Sequence, residues 1–278
     1  MEISYITLDP TKNITLLVRT TVPRSAQPSV AQLLLRSNPD AEQVGFLESA
    51  SARGARARLQ MMGGEFCGNA AMSLAALLAW EDGLASGDAA DIPMEVSGES
   101  GILTCHVQMG TECCLGTVDM PLPERIREID VVAGDRMLSC PAVFFPGIVH
   151  CIVPAGALTH PQAEDAVQLL CATLKADAAG ILLFDEDALS FSPLVYVAAT
   201  HTSVWERGCG SGSAAIGCYL AQRTGAPYTV ALRQPGGIIE VRAGWKDGRV
   251  DTLTITGEVR KGESGSLVLP LNGFFSQL

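Results

Sequence analysis

Two stretches of the chain are apolar on every side of a helix, and each is entered through the same dipeptide. Residues Ala70 to Trp80 follow Cys67-Gly68-Asn69, and residues Ala214 to Ala221 follow Cys209-Gly210-Ser211-Gly212-Ser213. A helix with no polar face is enclosed by other elements rather than laid on a surface. The pattern therefore predicts two central helices with a cysteine at the N-terminal end of each.

The rest of the pattern supplies strands and two more helices. Short runs rich in β-branched residues at 3–8 and 14–20 read as paired strands around the turn Asp9 to Asn13. Residues 29–37 have helical spacing behind a Ser29 cap and end at Asn38-Pro39-Asp40. A strand follows Glu42-Gln43, and another runs over 59–62 into Gly63-Gly64. Residues 94–120 read as several strands that contain Cys105, Cys113 and Cys114. In the second half, strands are expected near 129–132, 142–145, 180–184 and 194–198, with a helix over 162–175. Gln234-Pro235-Gly236-Gly237 and the strand after it match Val96-Ser97-Gly98 and its following strand. The two Cys-Gly motifs lie about 142 residues apart, which points to an internal duplication rather than a short solenoid period. Pro121-Leu122-Pro123 is the expected hinge.

Length and composition narrow the function. A chain of 278 residues with 47% hydrophobic content can fill two ordinary domains. A formal net charge of -11 disfavours a nucleic-acid groove or an anionic membrane surface, since both need clustered Lys and Arg. The N-terminus has no basic-then-apolar leader, and the apolar runs are too short to cross a bilayer. Nine cysteines, an odd number, fit a reducing compartment better than a disulfide framework. A soluble cytoplasmic protein acting on a small molecule is the expectation.

A thiolate at a helix start is stabilised by unpaired backbone N–H groups and the helix dipole, so both cysteines are expected to have lowered pKa values. The N–H groups of Gly68 and Asn69, and of Gly210 and Ser211, form two anion sites suited to a carboxylate. If the halves face each other across a cleft, one sulfur lies on each face of a substrate. A thiolate then removes the Cα proton from one side and a thiol delivers a proton to the other, which inverts the centre. Electrostatic stabilisation by the helix starts would offset the weak acidity of that proton, and the scheme calls for no cofactor and no metal. Other readings stand beside it: core cysteines at two helix starts by chance, a redox disulfide, a zinc site, and a single nucleophilic cysteine with His150 or His201 as base. Taken locally, Asn13 reads as a turn residue, Glu42 as a solvated carboxylate, and His150 as a hydrogen-bonded core residue.

With both motifs in view, the chain resembles the cofactor-independent amino-acid racemases and epimerases of the diaminopimelate epimerase superfamily. The resemblance implies two pseudo-symmetric α/β (α+β) domains, each a curved, mostly antiparallel sheet or barrel around a central helix. The expected boundaries are 1–122 plus 266–278 and 123–265, with 266–269 returning as a strand to the first domain. It also implies Asn13 near the substrate and His150 near its amino or carboxylate group. The Gly-Asn-Pro-His stretch of diaminopimelate epimerase is replaced here by Ile148-Val149-His150. Glu42-Gln43-Val44-Gly45-Phe46, Glu65 to Ala70, Trp205-Glu206 before Cys209-Gly210-Ser211-Gly212, and Gln234 to Gly237 are similar to the histidine racemase subgroup of staphylopine-type metallophore biosynthesis. By that resemblance Glu42 accepts a hydrogen bond from a substrate imidazole and Glu206 holds the α-ammonium. The implied function is interconversion of L- and D-histidine. Diaminopimelate epimerisation, proline-type racemisation and non-catalytic amino-acid binding are the alternatives. The expected partner is a small amino-acid substrate, with no nucleic acid and no membrane, and a homodimer is allowed.

Overall fold

The structure, a computed structural model, describes residues 1–269. The stretch 270–278, which the sequence assigns to the first half, lies outside the described residues. The chain divides into two units, Met1–Val118 with the return from Thr256, and Asp119–Ile255.

In the first unit, β1 (Glu2–Pro10) pairs antiparallel with β2 (Thr15–Val18), and α1 (Gln27–Ser37) carries the chain to β3 (Gln43–Glu48), which lies parallel to β2. A parallel neighbour requires such a crossover. The expected Ser29 cap is absent. The helix starts two residues earlier behind Ala26, with Pro28 in its first turn, where the fixed φ of proline suits a helix and its missing N–H costs nothing. β4 (Arg58–Met61) is antiparallel to β3. From it the chain passes through α2 (Gly68–Glu81) to β5 (Ala89–Val96), parallel to β4, and then to β6 (Leu103–Met109) and β7 (Cys114–Asp119). Cys105 and Cys114 lie in these strands, whereas Cys113 sits in the turn before β7.

The second unit repeats this order. β8 (Arg125–Ala133), β9 (Arg136–Phe145) and β10 (Ile148–Pro154) are antiparallel neighbours. The crossover α3 (His160–Leu174) leads to β11 (Ala178–Asp185), parallel to β10, and β12 (Ser190–Val197) turns back against it. An added hairpin strand, β13 (Thr202–Trp205), pairs with β12 before α4 (Gly210–Thr224) returns the chain to β14 (Tyr228–Gln234), parallel to β12. β15 (Gly237–Lys246) and β16 (Arg249–Val268) follow. The far part of β16 belongs to the first unit, where it pairs with β1 from Pro10↔Val259 to Glu2↔Val268, so the return begins earlier along the chain than Ser266.

Each unit therefore wraps a sheet around one apolar helix. Every residue of α2 from Gly68 to Ala79 is buried, and α4 is buried on nearly all sides. Each enclosed Leu or Met, such as Met72, Leu74 and Leu77, contributes about 1.5–3 kcal/mol by leaving water. Gly116 on β7 lets α2 lie directly on the sheet, since a Cβ there would stand 2.8 Å from Cβ of Met72. This enclosure fixes where the N-terminus of each helix sits, and hence where each cysteine sits.

Candidate active site

Cys67 is the N-cap of α2. Its backbone is extended (φ -138°, ψ 109°), and Sγ accepts the N–H of Ala70 at 3.4 Å, the bond usually made by a Ser or Asp cap. The approach is set from β5: Ser97 Oγ accepts the Met61 N–H at 2.9 Å and donates to the Glu65 carbonyl at 2.8 Å. Gly98 (φ +76°) lets the Glu65–Phe66 backbone pass over this turn, where a Cβ would overlap it.

Around Cys67 lies a network drawn from three elements. The Cys67 Sγ–H group donates to Gln43 Oε1 at 3.1 Å. Gln43 Nε2 donates to Asn13 Oδ1 and to Thr15 Oγ1, each at 2.7 Å. Asn13 Nδ2 donates to Glu42 Oε2 at 2.6 Å, and Asn69 Nδ2 donates to Asn13 Oδ1 at 3.1 Å. Parallel pairing sets Thr15 beside Gln43, which brings the turn after β1 to the helix start. Asn13, Thr15 and Asn69 are buried, and Glu42 is half-buried.

Cys209 occupies the same place on α4 (φ -107°, ψ 106°), with Sγ accepting the Gly212 N–H at 3.2 Å. Gln234, at the end of β14, accepts the Cys209 N–H at 2.6 Å and donates to Ser213 Oγ at 2.9 Å. Ser211 Oγ lies 3.6 Å from the sulfur and 2.9 Å from His150 Nε2. Glu206 is positioned by its own N–H, which donates to the Pro193 carbonyl at 3.0 Å. The preceding Trp205 donates to Glu164 at 2.7 Å and stacks on His160.

Electrostatics separate expectation from structure at Cys209. Burial pushes its thiol well above the usual range, and the neighbouring Glu206 carboxylate adds to the rise, while donors from Ser211 and Gly212 oppose it. The expected lowering by the helix start is therefore overridden in the free protein, because a fully buried anion beside a carboxylate loses more than a few N–H groups return. Burial also holds the structural thiols high: Cys114 and Cys140 at about 11, Cys218 at about 12, and Cys151 higher still.

His150 is fully buried on β10, and burial depresses its pKa to about 3. Its ring fits because the facing residue is Gly180, whose Cβ would overlap the imidazole. The sequence expected His150 near the amino or carboxylate group of the substrate; its Nε2 lies 2.9 Å from Ser211 Oγ at the start of α4. Asn13 likewise spends its amide on Glu42, Gln43 and Asn69. Gly68 with Asn69, and Gly210 with Ser211, open the helices as expected. The first unit thus gathers Cys67, Asn13, Glu42 and Asn69, and the second gathers Cys209, Glu206, Ser211 and His150. Sequence reasoning did not assign Thr15, Gln43, Ser97, Ser213 or Gln234 to the site. The Gln234-Pro235-Gly236-Gly237 turn was the one signal for the last, and the Glu42-Gln43 loop edge was the one for Gln43. His201, the other histidine considered as a base, is exposed and lies near Tyr196 Oη at 3.1 Å. Among the described residues no three His, Cys, Asp or Glu side chains converge to hold a metal ion.

Comparison with known proteins adds to this geometry. The profile of the histidine racemase CntK N-terminal domain matches residues 2–267. A histidine racemase from Staphylococcus aureus is 31% identical over 245 residues, covering 86% of this chain and 88% of the relative. One from Fusobacterium nucleatum is 33% identical over 229 residues, covering 78% and 80%. Among solved structures, a hydroxyproline epimerase from Agrobacterium vitis with bound trans-4-hydroxy-L-proline superposes with a TM-score of 0.69 at 13% identity, covering 96% of this chain and 93% of that one. The last likeness bears on the fold alone.

Proposed function

The chain belongs to the histidine racemase family, and from that footing we propose that it interconverts L- and D-histidine by proton transfer between two thiols, with no cofactor. The observation that carries the reading is the repeated helix start. In each unit a cysteine caps an enclosed helix through its own sulfur, Cys67 from Ala70 and Cys209 from Gly212, with side chains from neighbouring strands bracing it.

In this reading the two half-sites serve one substrate, one sulfur to each face of Cα. The substrate carboxylate is held by the N–H groups of Gly68 and Asn69 and of Gly210 and Ser211, its α-ammonium by Glu206, and its imidazole by Glu42. Both carboxylates are acceptors, and both substrate groups are donors. One thiolate removes the Cα proton. The electron pair spreads into the carboxylate, where the helix starts stabilise it, and the opposite thiol gives its proton to the other face. The ammonium also cancels the Glu206 charge that holds the Cys209 thiol up, so binding favours release of that proton to solvent and readies a base. Asn13 and His150 keep the two sulfurs and their neighbours in place. A non-catalytic amino-acid binder would need neither thiol.

The proposal extends to a cytoplasmic enzyme, acting alone or as a homodimer, whose D-histidine enters metallophore assembly. No helix among the described residues is long and apolar enough to cross a membrane. The test is to incubate the purified protein with L-histidine without added cofactor and follow optical rotation. The expected result is decay to zero, slowed at least about 100-fold by Cys67→Ser or Cys209→Ser. Unchanged rotation with histidine, or full activity in either variant, would overturn the reading.

A further inference from the structure

Gln43 is the side chain that meets the Cys67 sulfur, and its hydrogen bonds admit only one sense. Glu42 carries a carboxylate oxygen that accepts, so the Asn13 group facing it is the amide NH2, and Asn13 Oδ1 must point to Gln43 and Asn69. Thr15 spends its one hydroxyl proton on the Asn13 carbonyl at 3.1 Å, so its oxygen can only accept from Gln43. Two acceptors therefore hold the Gln43 NH2, and the Gln43 carbonyl is turned to Cys67 at 3.1 Å. A carbonyl facing sulfur accepts a proton-bearing thiol and repels a thiolate.

The second unit braces its sulfur with different groups. His150 Nδ1 has no hydrogen-bond partner, so the ring proton sits on Nε2, where it can donate to Ser211 Oγ. The Ser211 hydroxyl is then free to donate toward Cys209 Sγ, which also receives the Gly212 N–H. At Cys209 the Ser211 and Gly212 donors stand against the charged Glu206 carboxylate, whereas at Cys67 the Ala70 N–H stands against the neutral carbonyl of Gln43.

We infer that Gln43 is a positioning residue that holds Cys67 as the proton-bearing thiol of the free enzyme, in a sense fixed from Glu42 through Asn13. The inference rests on the racemase reading for its purpose: it makes Cys67 the acid that is ready before substrate arrives, and it leaves Cys209 as the thiol to be converted into a base. Glu42 is also the proposed imidazole ligand, so occupancy of the side-chain site is relayed to the catalytic sulfur through two amides. Of the titratable groups on the elements around Cys67, Asp9 pairs with Lys12 and Glu48 with Arg24 and Arg58, while Glu42 adjoins Gln43 and Glu65 lies two residues before the cysteine.

The test uses the free full-length protein and needs no turnover, so its failure is separate from failure of the racemase reading. Iodoacetamide labelling of Cys67 is followed by peptide-resolved mass spectrometry across pH in the wild type, Gln43→Met and Gln43→Glu, with near-ultraviolet circular dichroism to show folding. Met removes the acceptor, so labelling near neutral pH is expected to be about tenfold faster, one pH unit on the rate profile. Glu keeps an acceptor and adds charge, so labelling is expected to be slower than in the wild type. Equal profiles in all three, or faster labelling in Gln43→Glu, would overturn the inference. An independent reading is the Raman S–H band lost on Cys67→Ser: a hydrogen-bonded S–H at neutral pH is expected, and no such band would overturn it as well.

Discussion

Gln234 grips the backbone of Cys209 rather than its sulfur: its carbonyl takes the Cys209 N–H at 2.6 Å while its amide holds Ser213 at 2.9 Å. The first residues of α4 are thereby fixed to the end of β14. Gln234→Leu leaves a buried N–H without its acceptor, a cost of about 1–3 kcal/mol. The expected outcome is a lower unfolding midpoint together with a fall in kcat of at least about tenfold, read by thermal denaturation and by the histidine rotation assay.

Glu206 is proposed both to hold the α-ammonium and to keep Cys209 protonated. Gln in its place removes the charge while keeping the shape. Two opposite effects are expected in Glu206→Gln: Cys209 is alkylated faster in the free enzyme, and kcat/KM for histidine falls by about tenfold or more because a charged hydrogen bond is lost. Peptide-resolved alkylation and initial rates measure the two, and slower alkylation would count against the assigned cause of the raised thiol.

The buried His150 makes stability depend on pH. In the unfolded chain the ring takes up a proton below about pH 6.5, whereas the folded ring refuses it until about pH 3. Its contribution is thus complete above pH 6.5 and is lost as pH falls, at up to about 1.4 kcal/mol per unit. Urea unfolding at pH 7 and pH 5 is expected to show a loss of about 2 kcal/mol in the wild type that His150→Gln lacks.

The two cysteines and their enclosed helices were legible in the sequence, because an apolar run with no polar face has one physical home and each run opens on Cys-Gly. The doubled β–α–β order was legible for the same reason, repeated motifs with matching turns. The bracing side chains were not. Thr15 and Gln43 meet through pairing of strands separated by α1, and Gln234 reaches Cys209 from a strand beyond α4, so no local spacing announces them. Nor could spacing foretell that burial and Glu206 outweigh the helix start at Cys209, since that balance depends on how completely the sulfur is enclosed. At His150 the local reading of a hydrogen-bonded core residue matches its burial and its contact with Ser211.

The central claim is that one thiol takes the Cα proton and the other returns a different one. Its most direct measurement is the isotope content of both enantiomers early in the reaction of L-histidine in D2O, separated by chiral chromatography and weighed by mass spectrometry. Two-thiol transfer requires that newly formed D-histidine carry deuterium at Cα while the remaining L-histidine stays protiated. D-histidine that retains protium, or deuterium entering the L pool as fast as the D pool, would contradict it.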